Sequence, residues 1–196
     1  MQQSALKFKA KEAIRGNLWS IVAILIVAYV VQMALSYLTF FAGGVGSLLV
    51  AGPISISLAM IFLKLLHDHK KPQVEDILLG FKNGNFGRGL IGYLRYLVFT
   101  LLWSLLFVVP GIIKVLSYSQ MFYLMADDPK LEPSEAQTKS MKLMSGHKME
   151  LFSLYLSFVP WLLLVVVTVG LALIYVAPYF SATMAEYYNY LKKGKV

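Results

Sequence analysis

Two adjacent carboxylates are the residues of this sequence most able to do chemistry. Asp127 and Asp128 are followed closely by Glu132. Oxygen ligands of this kind hold Mg²⁺, and the metal would in turn hold a phosphate-bearing substrate. Pro129 follows the pair directly, which is typical of a turn after a helix end. The pair therefore has two interpretations, a phospholipid-processing enzyme that uses Asp127 and Asp128 or a turn, and the turn is the simpler.

A glycine pattern at residues 87–92, GRGLIG, matches the fingerprint of dinucleotide-binding loops. That fingerprint binds a pyrophosphate only between a strand and a helix. Here it opens a long apolar stretch with no strand before it, which favours a flexible junction. The sequence has no cysteine and no Ser-His-Asp, zinc or P-loop pattern. We therefore expect no catalytic residue, no metal site and no cofactor.

A single lysine inside an apolar stretch indicates a polar pocket. Lys114 follows a Pro-Gly break, and polar side chains cluster beside it. Ionisable residues within membrane segments are costly and usually functional. The predicted pocket consists of Lys114, Ser117, Tyr118 and Gln120. The alternative is that Lys114 extends outward to the headgroups.

The composition indicates whether this chain is soluble or lies in a membrane. Its 196 residues are 58% apolar and 14% charged, against roughly 45–50% and 25% in soluble proteins. Mean hydropathy is +0.67. These values exclude a soluble globular enzyme, a disordered chain and a disulfide scaffold. The fold class predicted is an all-α integral membrane protein.

Six apolar segments are long enough to suggest membrane spans, although the fourth is short. They are residues 18–41, 46–66, 90–109, 112–126, 151–169 and 171–191. Charged connections alternate with uncharged ones along the chain, which places the lysines and arginines on one side. We therefore predict six transmembrane helices, with both termini in the cytoplasm.

Amphipathic segments precede three of these spans. Leu6, Ala10 and Ile14 recur at helical spacing beside lysines, which predicts a helix in the headgroup plane. Ser134 and Gln137 predict a capping box that opens a second such helix. A net charge of +8 favours anionic phospholipids as partners rather than nucleic acid. The predicted headgroup contacts are Lys7, Lys11, Arg15, Arg88, Arg95, Lys139, Lys142 and Lys148.

A repeated order of features suggests three helix–hairpin units within one membrane domain, residues 1–196. Each unit would contain an amphipathic helix, a glycine followed by a polar residue, a first span, and a second span with a proline. The glycines are Gly16, Gly84 and Gly146. The predicted units are residues 1–71, 72–129 and 130–196. The alternative is that glycine and proline are simply common in membrane helices.

Several runs resemble one bacterial family. They are VPGIIK at 109–114, YLMADDP at 123–129, MSGHK at 144–148 and APY at 177–179. With them the chain resembles the membrane family catalogued as domain of unknown function 975. It departs from that pattern at Asp128, where asparagine is expected, and at Pro160, where glycine is usual. The resemblance implies a multi-span fold in the plasma membrane and brings no established activity.

The family is similar, more distantly, to the membrane portion of bacterial glycerophosphodiesterases, whose catalytic domain this sequence does not contain. From the residues we expect a non-enzymatic protein that acts through lipid or membrane-protein contacts, in envelope maintenance, assembly or protection. A membrane-protein partner or a second copy of the chain would be its protein contact. The alternatives are a small transporter or channel component with a pocket near Lys114, and the enzyme using Asp127 and Asp128.

Overall fold

A computed structural model describes residues 3–39, 46–68, 71–82, 84–106 and 108–194. The regular structure in these ranges is entirely helical. The helices are α1 (Gln3–Ile14), α2 (Leu18–Leu38), α3 (Gly46–Asp68), a 3₁₀-helix (Val74–Phe81), α4 (Asn85–Leu106), α5 (Val108–Tyr118), α6 (Met121–Asp127), α7 (Pro133–Leu143), α8 (Lys148–Leu156), α9 (Val159–Val167) and α10 (Leu173–Lys193).

Three helical stretches in the described ranges are long and apolar enough to cross a membrane. They are Leu18–Leu38, Gly46–His67 and Lys148–Val167. The first two are α2 and α3, and the third combines α8 and α9. An all-helical fold with apolar helices of spanning length is therefore confirmed, whereas a total of six spans stays a prediction.

The fourth predicted segment, residues 112–126, is wrong as a single helix. Its residues are divided between α5 and α6, which meet at a turn formed by Ser119 and Gln120. The two helices have 11 and 7 residues. At a rise of about 1.5 Å per residue they extend over about 17 Å and about 10 Å. Neither one alone reaches across a hydrocarbon layer of about 30 Å.

The protein interior lies around α3 and α10. Of the three candidate spans, α3 has the largest buried share. α10 carries Thr183, Glu186 and Asn189 among its buried residues. A helix surrounded by other helices needs no lipid-compatible surface, which explains why a polar sequence is tolerated there. The side chains of α10 that are buried are Val176, Pro178, Tyr179, Ala182, Thr183, Met184, Ala185, Glu186, Tyr187, Tyr188, Asn189 and Leu191.

The outer helices expose their apolar side chains. On α2 these are Trp19, Ile26, Tyr29, Val30, Met33, Tyr37 and Leu38, and on α9 they are Val159, Leu162, Leu163, Leu164, Val166 and Val167. Contiguous apolar surface of this extent is rare on soluble monomers and marks an interaction with protein or membrane.

The GRGLIG run is a packing motif in α4. A Cβ added to Gly89 would lie 2.6 Å from the backbone nitrogen of Pro53, and one added to Gly92 would lie 3.1 Å from Met125. At the same contact, a Cβ on Gly52 would lie 1.9 Å from the Gly89 carbonyl oxygen. The glycines therefore let α4 approach α3 and α6 closely, and the flexible junction predicted at residues 87–92 is wrong.

The three segments predicted to lie in the headgroup plane pack on other helices. Leu6, Ala10 and Ile14 of α1 are at most 2% exposed and belong to the main core. α1 covers α10, the 3₁₀-helix covers α3, and α7 covers α6 and α4. Periodicity correctly identified the apolar face of α1, but α10 rather than lipid covers it.

The capping box predicted at Ser134 is also wrong. Glu132 is the N-cap of α7, and Pro133 occupies its first turn. Proline is favoured there because the missing N–H has no acceptor at a helix start. Gln137 is thereby left to contact a neighbouring helix.

The three glycine turns share one geometry. Gly16, Gly84 and Gly146 have φ values of +88°, +76° and +84°. The amide after each glycine donates to the carbonyl three residues earlier, at 3.0–3.1 Å. A helix follows each turn: α2, α4 and α8. Only glycine adopts such a φ without strain, which explains the residue type.

Candidate functional site

The charged ends of the inner helices meet in one region. Lys192, near the end of α10, pairs with Asp127 at the end of α6, which also accepts a hydrogen bond from the Tyr188 hydroxyl at 3.0 Å. A hollow bounded by Asp127 also contains Lys64 and His67, from the end of α3. The C-terminal ends of α3, α6 and α10 therefore form one charged surface, the basic end of the fold.

The two aspartates each have a partner within the protein. Asp127 is bonded as just described, and Asp128 accepts a hydrogen bond from the Lys130 amide at 2.9 Å. The described residues contain no group of three or more histidines, aspartates or glutamates placed to hold a metal ion. The enzyme that would use this pair stays a prediction.

Arg88 holds the end of α6. Its guanidinium donates to the carbonyl oxygens of Asp128 and Leu131 at 2.8 Å each, to that of Met125 at 3.3 Å, and to the side chain of Asn85. A cation at a helix C-terminus also offsets the partial negative charge there.

Arg95 links α4 to α7. Its guanidinium donates to the side-chain oxygen of Gln137 at 3.0 and 3.2 Å. Close by, the Ser140 hydroxyl of α7 donates to the Ser117 carbonyl at 2.7 Å. Two polar contacts thus anchor one face of α7, while Lys139 on the same helix is exposed. Arg88 and Arg95 were predicted as headgroup contacts, and the contacts found for them are internal.

Lys7 is placed where α8 ends. Its ammonium donates to the Ser157 carbonyl at 3.2 Å and lies 4.5 Å from the centre of the Phe158 ring. Burial lowers the Lys7 pKa. Lys9, which lies between the predicted contacts Lys7 and Lys11, pairs with the largely buried Glu186 at 3.2 Å. The Lys9–Glu186 pair was not predicted, because no local pattern relates the two ends of a chain.

The predicted headgroup contacts that remain are at the surface. Lys11, Arg15, Lys139 and Lys142 are exposed, and Lys148 is half-buried at the start of α8. Lys139 and Lys142 line one shallow hollow of α7. Lys11 and Arg15 line another, beside α1. Contact of these cations with lipid stays a prediction.

The residues of the predicted polar pocket have different surroundings: Lys114 contacts aromatic rings, whereas Gln120 lies in the interior. The Lys114 ammonium lies 4.4 Å from the Trp103 ring centre and 6.0 Å from that of Tyr118. Ser117 donates to the carbonyl of the preceding turn. Gln120 is fully buried, and its side-chain oxygen has no hydrogen-bond partner among the described residues. Cation–π contacts therefore hold Lys114, and a path lined by this group stays a prediction.

Comparison with known proteins gives a family and no activity. No curated protein and no solved structure matches the chain. The distant similarity to glycerophosphodiesterases therefore stays a prediction. One family model matches twice, over residues 1–117 and 106–195, and its description is "Protein of unknown function (DUF975)". These two matches overlap and together account for almost the whole sequence, so the chain belongs to the DUF975 family.

Proposed function

We propose that this chain is a multi-pass protein of the bacterial cytoplasmic membrane that acts without catalysis, through anionic phospholipids and a membrane-protein partner. The observation that carries the proposal is the separation of two surfaces. Apolar side chains cover the outer helices α2 and α9. The cations of α3 and α10 gather with those of α1 at the basic end. A bilayer offers the same two environments, hydrocarbon and an anionic headgroup layer.

Six crossings fit this arrangement. α2, α3 and the α8–α9 pair have the length and hydropathy of spans. α10 has 21 residues and is enclosed by other helices, so it need not be as apolar as an outer helix. α4 has 22 residues and packs along α3. The α5–α6 pair completes the sixth crossing, and both termini then lie at the basic end.

Cysteine labelling tests the topology. The sequence has no cysteine, so every introduced thiol is unique. In intact cells, a membrane-impermeant maleimide should label Leu171→Cys, between α9 and α10. Lys71→Cys, at the basic end, should react only after permeabilisation. Labelling of both positions from the outside contradicts the topology.

Vesicle composition tests the function. The purified chain should be more resistant to heat in phosphatidylcholine vesicles that contain phosphatidylglycerol than in phosphatidylcholine alone. Co-purification of lipid or of a membrane protein is the second expected result. A chain that is indifferent to anionic lipid and carries neither contradicts the proposed function.

The transporter is the second candidate, and one observation favours it. The buried Gln120 oxygen, which has no partner among the residues that the structure describes, lies at the turn between α5 and α6. Interrupted helices line substrate sites in many transporters. If the chain is a transporter, Lys114→Met should reduce the flux of solute across the membrane of vesicles that contain it. Unchanged flux, or no flux in the unaltered chain, rejects it.

A further inference from the structure

A cavity opens at the basic end between α1, α3 and α10. Its volume is about 450 Å³. Lys9 of α1 and Arg15 of the turn after it form one wall, His67 of α3 a second, and Asn189 and Lys193 of α10 a third. These residues come from both ends of the sequence and from its middle, and the fold alone brings them together.

Asn189 supplies a hydrogen-bond acceptor that the protein does not use. The residue is only 5% exposed, and its side-chain oxygen has no hydrogen-bond partner in the described part of the chain. Buried polar groups in folded proteins are almost always bonded to protein, ordered water or a ligand. Asn189 also lines the cavity, so a molecule bound there lies beside its side-chain amide.

The charges around the cavity require an anion as well. Lys9, Arg15 and Lys193 face two carboxylates, Glu12 and Glu186, of which Glu186 is paired with Lys9. Arg15 and Lys193 have no ion pair within the described ranges. The guanidinium of arginine has the planar donor geometry that matches a phosphate. The cavity therefore combines donors for a phosphate with acceptors for a hydroxyl or amine.

An adjoining apolar cavity points to a lipid as the source of that phosphate. It has a volume of about 560 Å³, and Phe8, Ile14, Leu18 and Tyr175 form its apolar lining. Arg15 lines both cavities. A molecule with a polar head and a hydrocarbon tail would occupy the two together, whereas a free phosphate would use only the first.

We propose that these two cavities form a phospholipid site. A phosphate is bound by Arg15 and Lys193, a headgroup hydroxyl or amine donates to Asn189, and an acyl chain occupies the apolar cavity. The site takes headgroups that carry a donor, such as ethanolamine or glycerol, in preference to choline, whose methylated nitrogen has no N–H. The proposal rests on the proposed function and gives it a specific location and lipid class.

Calorimetry with the full chain in detergent tests the site. The probes are short-chain phosphatidylethanolamine, phosphatidylglycerol and phosphatidylcholine, together with inorganic phosphate and sn-glycerol 3-phosphate. One molecule of the ethanolamine or glycerol lipid should bind per chain, about tenfold more tightly than the choline lipid. Equal affinity for the three lipids overturns the donor contact. Inorganic phosphate or glycerol 3-phosphate binding as tightly as the lipids overturns a lipid occupant.

Substitutions separate this role from a structural one. Asn189→Leu keeps the side-chain size and removes the unpaired oxygen, so its melting temperature should stay the same or rise. It should nevertheless lose the preference for ethanolamine over choline. Arg15→Gln should weaken all phosphate probes about tenfold. The matched control Lys82→Gln, at an exposed position after the 3₁₀-helix, should bind like the unaltered chain.

The outcomes distinguish the site from the general function. A preserved headgroup preference in Asn189→Leu, or unchanged binding in Arg15→Gln, overturns the site. Stabilisation by phosphatidylglycerol vesicles would remain in that case, because the other surface cations still contact the bilayer. Loss of the vesicle effect in the unaltered chain overturns the proposed function instead.

Discussion

The close approach of the α3 and α4 backbones at Gly52 gives a direct test of the fold. Gly52 in α3 lies against the carbonyl of Gly89 in α4, so a Cβ added to Gly52 would be 1.9 Å from that oxygen. Ordinary contact begins near 3.4 Å, so the two helices would have to separate by about 1.5 Å (3.4 − 1.9). The obstructing atom is backbone, and no side-chain rotation relieves the clash.

The expected cost follows from what that separation would disturb. Gly80 of the 3₁₀-helix occupies the same contact, where its amide donates to the Ser57 hydroxyl at 2.8 Å. Overpacking in a core costs about 1–3 kcal/mol even where side chains can adjust. With a backbone clash and a shared hydrogen bond, Gly52→Ala should lose about 3 kcal/mol of folding free energy or more.

Gly87→Ala is the matched control, since it makes the same chemical change at the start of α4. Nothing lies within 4 Å of an added Cβ there. Alanine is the better helix former by up to about 1 kcal/mol, so this variant should be as stable as the unaltered chain or more so. Thermal unfolding in detergent, followed by circular dichroism and size-exclusion chromatography, compares the two. Equal unfolding of Gly52→Ala and Gly87→Ala would refute the close packing of α3 on α4.

Three further substitutions test the contacts that hold the short helices and their turns, each by thermal unfolding. Ser57→Ala should cost about 1–3 kcal/mol of folding free energy, because the buried amide of Gly80 then loses its acceptor. Ser55→Ala should cost less than half of that, since the Ser55 hydroxyl donates to a carbonyl of its own helix. Arg88→Gln should cost about 2 kcal/mol by releasing the carbonyls at the end of α6, and a change below that of exposed Lys82→Gln would contradict the assigned contacts. Gly146→Ala should cost about 1–2 kcal/mol from its positive φ alone, since nothing lies within 4 Å of the added Cβ; no change would mean that the turn adapts.

Features that depend on a few neighbouring residues were predictable. The glycines at 16, 84 and 146 were predicted as breaks, and all three turn in the left-handed region. The apolar face of α1 was predicted from the spacing of Leu6, Ala10 and Ile14, which are buried as a set. Local backbone preference and helical periodicity depend on short stretches of sequence, so they can be predicted before the fold is known.

The sequence did not predict which helix covers an apolar face or which residue contacts a charged side chain. An apolar stripe beside lysines indicates lipid and protein equally well, and in α1 the cover is α10. Arg95 was expected at the headgroups but donates to Gln137, which lies on another helix. Asn189 carries no local signal at all, because its importance arises from an oxygen that the assembled helices leave unpaired.

The way the helices pack explains why α10 can carry polar residues. The short helices pack on other helices, α1 on α10, the 3₁₀-helix on α3, and α7 on α6. α10 has most of its side chains buried, and a helix that protein encloses need not be apolar around its whole circumference. α2 and the α8–α9 pair remain outside, with 22% and 17% of their apolar windows buried. A lipid-facing helix must be apolar around most of its circumference, whereas an inner one must instead match its neighbours. The polar residues of α10 are therefore the expected consequence of its enclosure by protein, and the cavity beside Asn189 lies between α1, α3 and α10.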